Sequence, residues 1–404
     1  MKPVVAVEAL TAKQRPAASI DLDAEADRDR CGALNRYWYV ACLADELGRD
    51  RPLARTVFGV PLALFRDAAG APVALFDRCL HRNAALSAGR VIEGKLACAY
   101  HGWVYDGGGR CVEIPSLGPT QQGQGADEGP SPSSMPSIMP SIIECPADAG
   151  AVERWPTCEQ DGLIFVYPGG ADPASARRPA FRTPHHGEAP WTVYYMVTRF
   201  PNGVTNLVEN FMDVPHTAFV HRGWFRNRDN RRIPTVVRSL DESVLVTYEE
   251  GDRVSGAGRL FNVTGAPAEH TDKFYAPHVT RVDYRFGDAA SFVITSQVTP
   301  IGPLDSMVYT AISYRFPFGV AGRLAARALV PLMRWYTTRV IRQDVDIMAV
   351  QGKGLAHAPG GGHFIGTEAD RIHEAIERWR RWLLRGAPDA DRPPDAERRI
   401  TFFV

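Results

Sequence analysis

Two cysteine–histidine pairs are the first candidates for metal chemistry in this sequence. One residue separates Cys79 from His81, two separate Cys98 from His101, and sixteen residues lie between the pairs. Zinc also binds two cysteines and two histidines, so ligand type alone does not decide the metal. In a zinc finger like ligands pair with like, whereas each pair here is mixed. A mixed pair is typical of a binuclear 2Fe–2S cluster that has both thiolates on one iron and both imidazoles on the other.

A second candidate metal site lies between Glu209 and His221, where two carboxylates and two histidines fall within thirteen residues. Two histidines and one carboxylate on one face of a ferrous ion leave positions open for dioxygen. His216 and His221 supply the histidines, and the carboxylate must come from elsewhere, with Asp344 and Asp346 as candidates. Because residues two apart point in different directions on a helix, only one of these aspartates should bind.

The spacing of the second site restricts the element that carries it. Asp213 and His216 would share one face of a helix, whereas His221, five residues beyond His216, would be rotated away. The helix must therefore widen or end between the two histidines if both are to reach one metal.

The rest of the sequence indicates two domains after an N-terminal arm. Residues 1–30 lack periodicity and predict a flexible arm. Short strands separated by turns fill 31–185, with a hairpin around Asp67–Gly70 and a low-complexity insertion at 118–134. Longer strands with a few helices fill 186–404 and predict a curved antiparallel sheet. The predicted fold class is therefore α+β.

Together the motifs resemble those of the Rieske non-haem iron oxygenases. The matching segments are Cys-Leu-His-Arg-Asn-Ala at 79–84, Cys-Ala-Tyr-His-Gly-Trp at 98–103, Glu-Asn-Phe-Met-Asp-Val-Pro-His-x4-His at 209–221 and the late Gln-Asp at 343–344. This resemblance implies an N-terminal all-β Rieske domain and a C-terminal helix-grip-like antiparallel sheet with helices.

The resemblance also implies a role for each site residue. It implies a 2Fe–2S cluster on Cys79, His81, Cys98 and His101, and a mononuclear Fe(II) on His216, His221 and Asp344. Asp213 is expected to carry electrons between subunits of a homotrimer, accepting hydrogen bonds from His216 of its own subunit and His101 of a neighbour. Asn210 is expected to line the iron pocket.

These sites predict a terminal oxygenase that uses dioxygen to hydroxylate, dealkylate or oxidatively cyclise an organic, ring-containing substrate. No nucleotide-binding glycine motif follows a strand, so electrons are expected from a separate NAD(P)H-dependent reductase, with or without a ferredoxin. Three alternatives stay open: an aromatic-ring cis-dihydroxylating dioxygenase, a pure Rieske electron carrier, and a ligand-binding protein with zinc in its first half.

Composition argues against two other kinds of partner. Lys and Arg (46) balance Asp and Glu (46), so no overall field favours nucleic acid or an anionic membrane. The most apolar stretch, 320–341, contains Arg323, Arg327, Arg334 and Arg339, and predicts an amphipathic soluble helix rather than a membrane span. The N-terminus lacks the long apolar run of a secretory signal, so we expect a cytoplasmic protein.

Overall fold

The computed structural model describes residues 21–117, 150–224, 231–249, 268–287, 290–358 and 364–403, which form two compact units. The first unit comprises Ala41–Thr56 and Val60–Ala174. The second comprises Val57–Gly59, the described residues up to Val40 and those from Ser175 onwards. The α+β class is confirmed, because the first unit consists of short strands and the second of a large sheet with helices. The insertion predicted at 118–134 lies outside the described residues.

The regular structure of the first unit consists mainly of short strands in three small sheets. They are β1 (Tyr39–Leu43), β2 (Leu53–Val57), β3 (Val60–Arg66), β4 (Pro72–Phe76), β5 (Arg90–Ile92), β6 (Lys95–Ala97), β7 (Val104–Tyr105), β8 (Cys111–Glu113), β9 (Arg154–Trp155), β10 (Thr157–Gln160) and β11 (Leu163–Val166). The sheet orders are β2-β3-β4-β9, β5-β6-β7-β8 and β1-β11-β10. The predicted hairpin is confirmed, because β3 pairs antiparallel with β4 across a turn in which the Gly70 N–H donates to the Asp67 carbonyl.

An antiparallel sheet of eight described strands dominates the second unit. Its strands are β12 (Thr192–Phe200), β13 (Arg232–Leu240), β14 (Ser243–Tyr248), β15 (Ala268–Tyr275), β16 (Val279–Phe286), β17 (Ala290–Gly302), β18 (Asp305–Arg315) and β19 (Ala396–Phe403). Their order is β12-β18-β17-β16-β15-β14-β13-β19. The described helices are α1 (Leu22–Glu25), α2 (Val204–Met212), α3 (Gly319–Ala328), α4 (Val330–Ala356) and α5 (Arg371–Leu384). None of the described helices is both long and apolar enough to cross a membrane.

One face of this sheet packs against α4 through large buried side chains. Tyr284 and Phe292 from the sheet share a buried cluster with Met333 and Tyr336 from α4. Removing one such side chain from water stabilises the fold by about 1.5–3 kcal/mol. This packing fixes the rotation of α4 about its axis, and with it the direction of every side chain further along the helix.

A buried ion pair anchors α2 to two other helices. Arg380 on α5 contacts Glu25 on α1 at 2.7 Å, and both side chains are at most 3% exposed. The N–H and the hydroxyl of Thr205, in the first turn of α2, each donate to the Glu25 carboxylate at 2.8 Å. Because the N-cap residue Gly203 has no side chain, Glu25 supplies the acceptor that this helix end needs. The structure therefore corrects the arm predicted at 1–30 for its described part, since α1 is tied into the core.

Candidate functional site

The two cysteine–histidine pairs lie on two loops that share one backbone pattern. The Cys79 N–H donates to the Ala84 carbonyl and the Asn83 N–H to the Cys79 carbonyl. In the second loop the Cys98 N–H donates to the Trp103 carbonyl and the Gly102 N–H to the Cys98 carbonyl. The donors and acceptors therefore occupy the same positions in the two loops. The fifth residue of each loop is left-handed, with φ of 60° at Asn83 and 75° at Gly102. Each loop therefore turns a buried sulfur inward and carries its histidine beyond it.

The sulfur and imidazole groups of these loops come together. The imidazole ring centroids of His81 and His101 are 4.6 Å apart, and the Trp103 ring stacks on His81. Burial and the neighbouring Cys79 sulfur both raise the pKa of the Cys98 thiol, so its thiolate needs a cation beside it. Nδ1 of His81 is buried and has no hydrogen-bond partner among the described residues. These donors fit an iron–sulfur cluster that supplies the missing positive charge.

The spread of these four residues distinguishes a cluster from a single ion. Among the described residues, the group of three or more metal-ligating side chains whose donor atoms lie within 4.8 Å of one another is His216, His221 and Asp344. The donor atoms of Cys79, His81, Cys98 and His101 do not form such a group. Zinc would draw four ligands closer than this, because Zn–S and Zn–N bonds are about 2.0–2.3 Å long. The spread suits two irons bridged by sulfide.

The sequence predicted Asp213 and His216 on one face of a helix that ends before His221. In the structure helix α2 ends before both histidines, and a separate 3₁₀ turn ends between them. Helix α2 stops at Met212, Asp213 is its extended C-cap, and a 3₁₀ turn at Pro215–Ala218 carries His216. His221 follows that turn and is buried. Its Nε2 lies 3.4 Å from Nε2 of His216. The chain thus reverses between the histidines and aims both rings at one point.

Asp344 on α4 completes the triad. Its Oδ1 lies 3.1 Å from Nε2 of His221 and 3.5 Å from Nε2 of His216. Asp346 is exposed and is not part of the metal-ligating group. Of the two aspartates that the sequence proposes as third ligand, the structure brings Asp344 to the histidines.

The carboxylates set the charge state of this triad. Burial raises the pKa of Asp344, but hydrogen bonds from the two histidines outweigh burial and lower it to about 2. Burial lowers the pKa of His216, but Asp213 and Asp344 outweigh burial and raise it to about 9. The pocket is therefore built to hold positive charge next to a carboxylate, which fits a divalent cation.

Three side chains around the triad orient it. Oε1 of Gln343 lies 3.0 Å from Nδ1 of His221, and the Asn210 amide donates to Oδ1 of Asp344 at 3.3 Å. Oδ2 of Asp213 lies 3.6 Å from Nδ1 of His216. Asn210 and Asp213 were both singled out from the sequence. The role of Gln343 was missed, although it immediately precedes the candidate ligand.

A cavity of about 140 Å³ opens beside the triad within the second unit. Cross-strand register arranges its sheet wall in three rows: His270, Tyr284 and Phe292; Val282, Ile294 and Ile312; Thr280, Ser296 and Thr310. These rows are mainly aromatic, aliphatic and hydroxyl-bearing in turn. A cavity of this volume accommodates a ring of about the size of benzene.

The sequence interpretation missed a polar dyad in this wall. His270 and Asp272 on β15 line the cavity, each at most 3% exposed, with Nε2 and Oδ1 2.8 Å apart. Tyr248 stacks on His270, and its hydroxyl donates to the other oxygen of Asp272 at 2.6 Å. The spacing of His270 and Asp272 in the sequence could have indicated this dyad, because residues two apart in a strand face the same side of the sheet.

Two family models match the chain. The Rieske [2Fe-2S] domain matches residues 37–124, and the vanillate O-demethylase oxygenase C-terminal domain matches residues 204–386. The chain contains a Rieske domain followed by an oxygenase C-terminal domain, the pair of domains found in Rieske non-haem iron oxygenases. Its first domain is thus a Rieske 2Fe–2S domain, and a solved relative within the family, dicamba monooxygenase, carries non-haem iron.

Curated relatives of this chain include bacterial and plant proteins. The oxygenase component of dicamba O-demethylase from Stenotrophomonas maltophilia is 38% identical over 188 residues, which are 46% of this chain and 47% of that protein. The chloroplastic pheophorbide a oxygenase of Oryza sativa subsp. japonica is 29% identical over 378 residues, which are 87% of this chain and 65% of that protein. The chain therefore spans less than two thirds of the length of these relatives.

Solved structures of the family share the fold of this chain. Dicamba monooxygenase bound to 3,6-dichlorosalicylic acid matches with a TM-score of 0.69 and 24% identity, covering 87% of this chain and 98% of that one. A mutant of NdmA from Pseudomonas putida CBB5 with theobromine matches with a TM-score of 0.64 and 19% identity, covering 87% and 91%. At these identities the likeness establishes the fold alone.

Proposed function

We propose that this chain is the terminal oxygenase component of a multicomponent system, and that it monooxygenates an organic, ring-containing substrate. The observation that carries the proposal is the meeting of His216, His221 and Asp344 beside a cavity, in a chain that also has a Rieske domain. A pure electron carrier needs no second metal site, so this triad argues against that alternative. The wide spread of the cysteine–histidine set argues against zinc.

We assign the cofactors to the residues that the motifs name. The 2Fe–2S cluster is assigned to Cys79, His81, Cys98 and His101, in the domain predicted at 31–185, and the Fe(II) to His216, His221 and Asp344, in the domain predicted at 186–404. When bound, the cluster supplies single electrons and the iron activates dioxygen. Gln343 holds the His221 ring in orientation and Asn210 holds the Asp344 carboxylate.

Electrons reach the iron through Asp213 in a homotrimer. Asp213 contacts the side of His216 that faces away from the triad, so it is suited to link this ligand to a donor outside its own pocket. His101 is exposed, which leaves its ring accessible to a neighbouring subunit. By this assignment His101 of one subunit donates to Asp213 of the next.

The reaction inserts one oxygen atom of dioxygen into the substrate and reduces the other to water. The two electrons come from NAD(P)H through a separate reductase, with or without a ferredoxin. An O-demethylase component among the relatives supports oxidative dealkylation or hydroxylation, and no relative named above supports cis-dihydroxylation. The small cavity with an aromatic row supports a substrate that places one ring beside the triad.

Metal analysis and turnover together test this function. The protein is purified without air, its iron and zinc are measured, and EPR is recorded after reduction. We expect about three irons per chain and a low-average-g signal from a histidine-ligated cluster. With a surrogate reductase, aromatic methyl ethers should release formaldehyde and consume equal amounts of NADH and dioxygen. Stoichiometric zinc, or two irons with a cluster signal and no substrate-dependent dioxygen uptake, would refute the proposal.

Replacing the third ligand should remove one metal and leave the other. Asp344→Asn takes the anionic oxygen from the triad, so we expect iron to fall from about three to about two per chain with an unchanged cluster signal. The matched control is Asp346→Asn, two residues further along α4 and exposed, which should keep all the iron. If Asp346→Asn loses iron and Asp344→Asn keeps it, the assignment of the third ligand is wrong.

A further inference from the structure

Helix α3 exposes large apolar side chains and buries small residues, which is not expected of a helix that only packs on its own sheet. Its buried positions are Gly322 and Ala326, whereas Val320 and Leu324 are 64% and 59% exposed. A surface helix ordinarily buries its large apolar residues and exposes polar ones. Gly322 cannot carry a side chain, because a Cβ there would lie 1.9 Å from the Pro317 carbonyl oxygen. The small residues Gly322 and Ala326 thus let α3 pack closely on the protein, and its large apolar side chains point outward.

The exposed apolar surface continues on both sides of α3. Phe318, just before the helix, is 78% exposed, and Leu332 and Trp335 in the first turns of α4 are 49% and 56% exposed. The same stretch of α4 buries Met333 and Tyr336, so its inner face is packed in the ordinary way. We call residues 318–342 the basic apolar ridge.

The charge of the ridge is also one-sided. Residues 318–342 contain five arginines and no carboxylate, in a chain whose 46 basic and 46 acidic residues balance: Arg323, Arg327, Arg334, Arg339 and Arg342. Among the described residues, none of these five forms an ion pair with a carboxylate. Arg334 and Arg339 instead lie over the rings of Tyr194 and Trp224. The balance of the whole chain therefore conceals a local positive field.

We propose that the basic apolar ridge docks this protein onto an anionic lipid membrane surface. Outward apolar side chains flanked by arginines and free of acidic residues are the features that let a helix lie in the interface, with apolar groups among the acyl chains and guanidinium groups at the phosphates. A second copy of this chain cannot cover the ridge with its own ridge, because two copies of the ridge repel each other. The inference stands apart from the proposed oxygenase activity.

Docking would bring the cavity close to the lipid. Tyr336, Thr337, Val340 and Ile341 line the cavity from the inner face of α4, and Leu332 and Trp335 on the same turns point outward. The exposed face of the ridge and the cavity therefore lie on opposite sides of α4. A lipophilic substrate dissolved in the membrane would have a short path to the triad.

Vesicle co-sedimentation tests the docking surface. The purified full chain is mixed with vesicles of phosphatidylcholine alone, or of phosphatidylcholine with phosphatidylglycerol, at low and high salt. We expect binding to the anionic vesicles that weakens as salt rises, and little binding to the neutral ones. Binding that is absent, or equal on both kinds of vesicle, would overturn the proposal.

A matched pair of variants localises the effect. In Leu324→Ser/Arg327→Gln the ridge loses one apolar group and one charge, and we expect binding at least about tenfold weaker, since one surface arginine alone accounts for about fivefold. The control, Ile365→Ser/Arg385→Gln, changes an equally exposed apolar residue and an exposed arginine elsewhere, and should bind as the unmodified protein does. Equal binding by both variants would overturn the assignment. A changed sedimentation coefficient of the ridge variant without vesicles would also overturn it, because a second copy would then cover the ridge.

Discussion

At the scale of single residues, the hydrogen bonds behind the proposed metal ligands carry the clearest chemistry. Tyr105 is fully buried, and its hydroxyl accepts from the Leu80 N–H at 3.0 Å. The hydroxyl proton is therefore left to point at the Cys79 sulfur, 3.1 Å away. Burial raises the pKa of Tyr105 and keeps it a neutral donor. A donor to a ligating sulfur stabilises the reduced cluster, which carries more negative charge.

Tyr105→Phe should lower the reduction potential of the cluster. The variant removes one hydrogen bond to sulfur, of about 1 kcal/mol, which corresponds to about 40 mV for one electron. Potentiometric titration followed by EPR measures the shift. Tyr100→Phe is the control, because Tyr100 is exposed beside His101 and should not change the potential. Equal potentials in all three proteins would mean that the Tyr105 hydroxyl does not donate to the cluster.

Glu209 on α2 is a buried carboxyl group that the proposed chemistry does not use. Its Oε1 is buried and has no hydrogen-bond partner among the described residues. Burial raises its pKa to about 8, helped by Glu377 and Glu25 and opposed by His373 and Arg380. The folded protein therefore keeps a proton that the unfolded chain releases above its ordinary pKa of 4.5. The free energy of unfolding must fall as pH rises between these two values.

Glu209→Gln should remove this fall. Urea unfolding followed by tryptophan fluorescence across about pH 4.5 to 6.5 measures the fall in unfolding free energy. The window stops there because His373 adds its own pH dependence of stability above its ordinary pKa of 6.5. We expect the wild type to lose stability across this window and the variant to change much less. Glu374→Gln on α5 is the control and should keep the wild-type slope. A slope unchanged by Glu209→Gln would mean that Glu209 is ionised in the folded protein.

At the scale of elements, the sequence predicted which kinds of helix and strand are present better than where they end and what they contact. The motif spacing predicted a helix that carries Asp213 and His216 and ends before His221, whereas α2 already ends at Met212 and His216 lies on a separate 3₁₀ turn. The α+β class and the early hairpin were predicted correctly. Glu25 was assigned to a flexible arm, because its partner Arg380 lies 355 residues away and no local pattern connects them. The cavity-lining role of His270 and Asp272 was missed for the same reason, because no local pattern shows which face of β15 meets the cavity.

Removing Arg380 should destabilise the second unit strongly. Arg380→Met leaves the Glu25 carboxylate buried without its partner, and such a change costs about 3–5 kcal/mol of unfolding free energy. Arg381→Met is the matched control, because that neighbouring arginine pairs with Glu377 at a partly exposed site, where about 1 kcal/mol or less is expected. Urea unfolding measures both. Similar losses for the two variants would show that the buried pair does not anchor α2.

At the scale of the whole molecule, the proposed trimer makes each site depend on two chains. A subunit with His216→Ala keeps its cluster, and one with Cys98→Ser keeps its iron triad. If electrons cross between subunits, mixed trimers regain activity although either variant alone is inactive. Random assembly from equal amounts should restore about a quarter of wild-type activity, since half of the iron sites are intact and half of those have an intact donor.

Co-expression of the two variants with different affinity tags measures this restoration. Turnover by doubly purified mixed trimers is compared with that of each variant alone, and should be about a third of the wild-type value, since this purification removes both inactive homotrimers and each mixed trimer has one intact pair of sites. Activity near zero in the mixture would mean that electrons stay within one chain, and that Asp213 does not serve a neighbour. A monomer at all concentrations would refute the trimer directly.

The triad and the sheet residues of the cavity wall lie on different elements, and this separation has a consequence for how the substrate selectivity of such a protein can change. The three residues of the triad all lie outside the strands, on α4 and in the segment after α2, whereas the sheet supplies about half of the residues that line the cavity. Alternate residues of β16 and β17 face the cavity, and backbone pairing along both strands holds them in register. Exchanging Val282, Ile294 or Ser296 can therefore reshape the space for a substrate without moving the metal. Selectivity can drift from one compound to another while the oxygen chemistry stays in place.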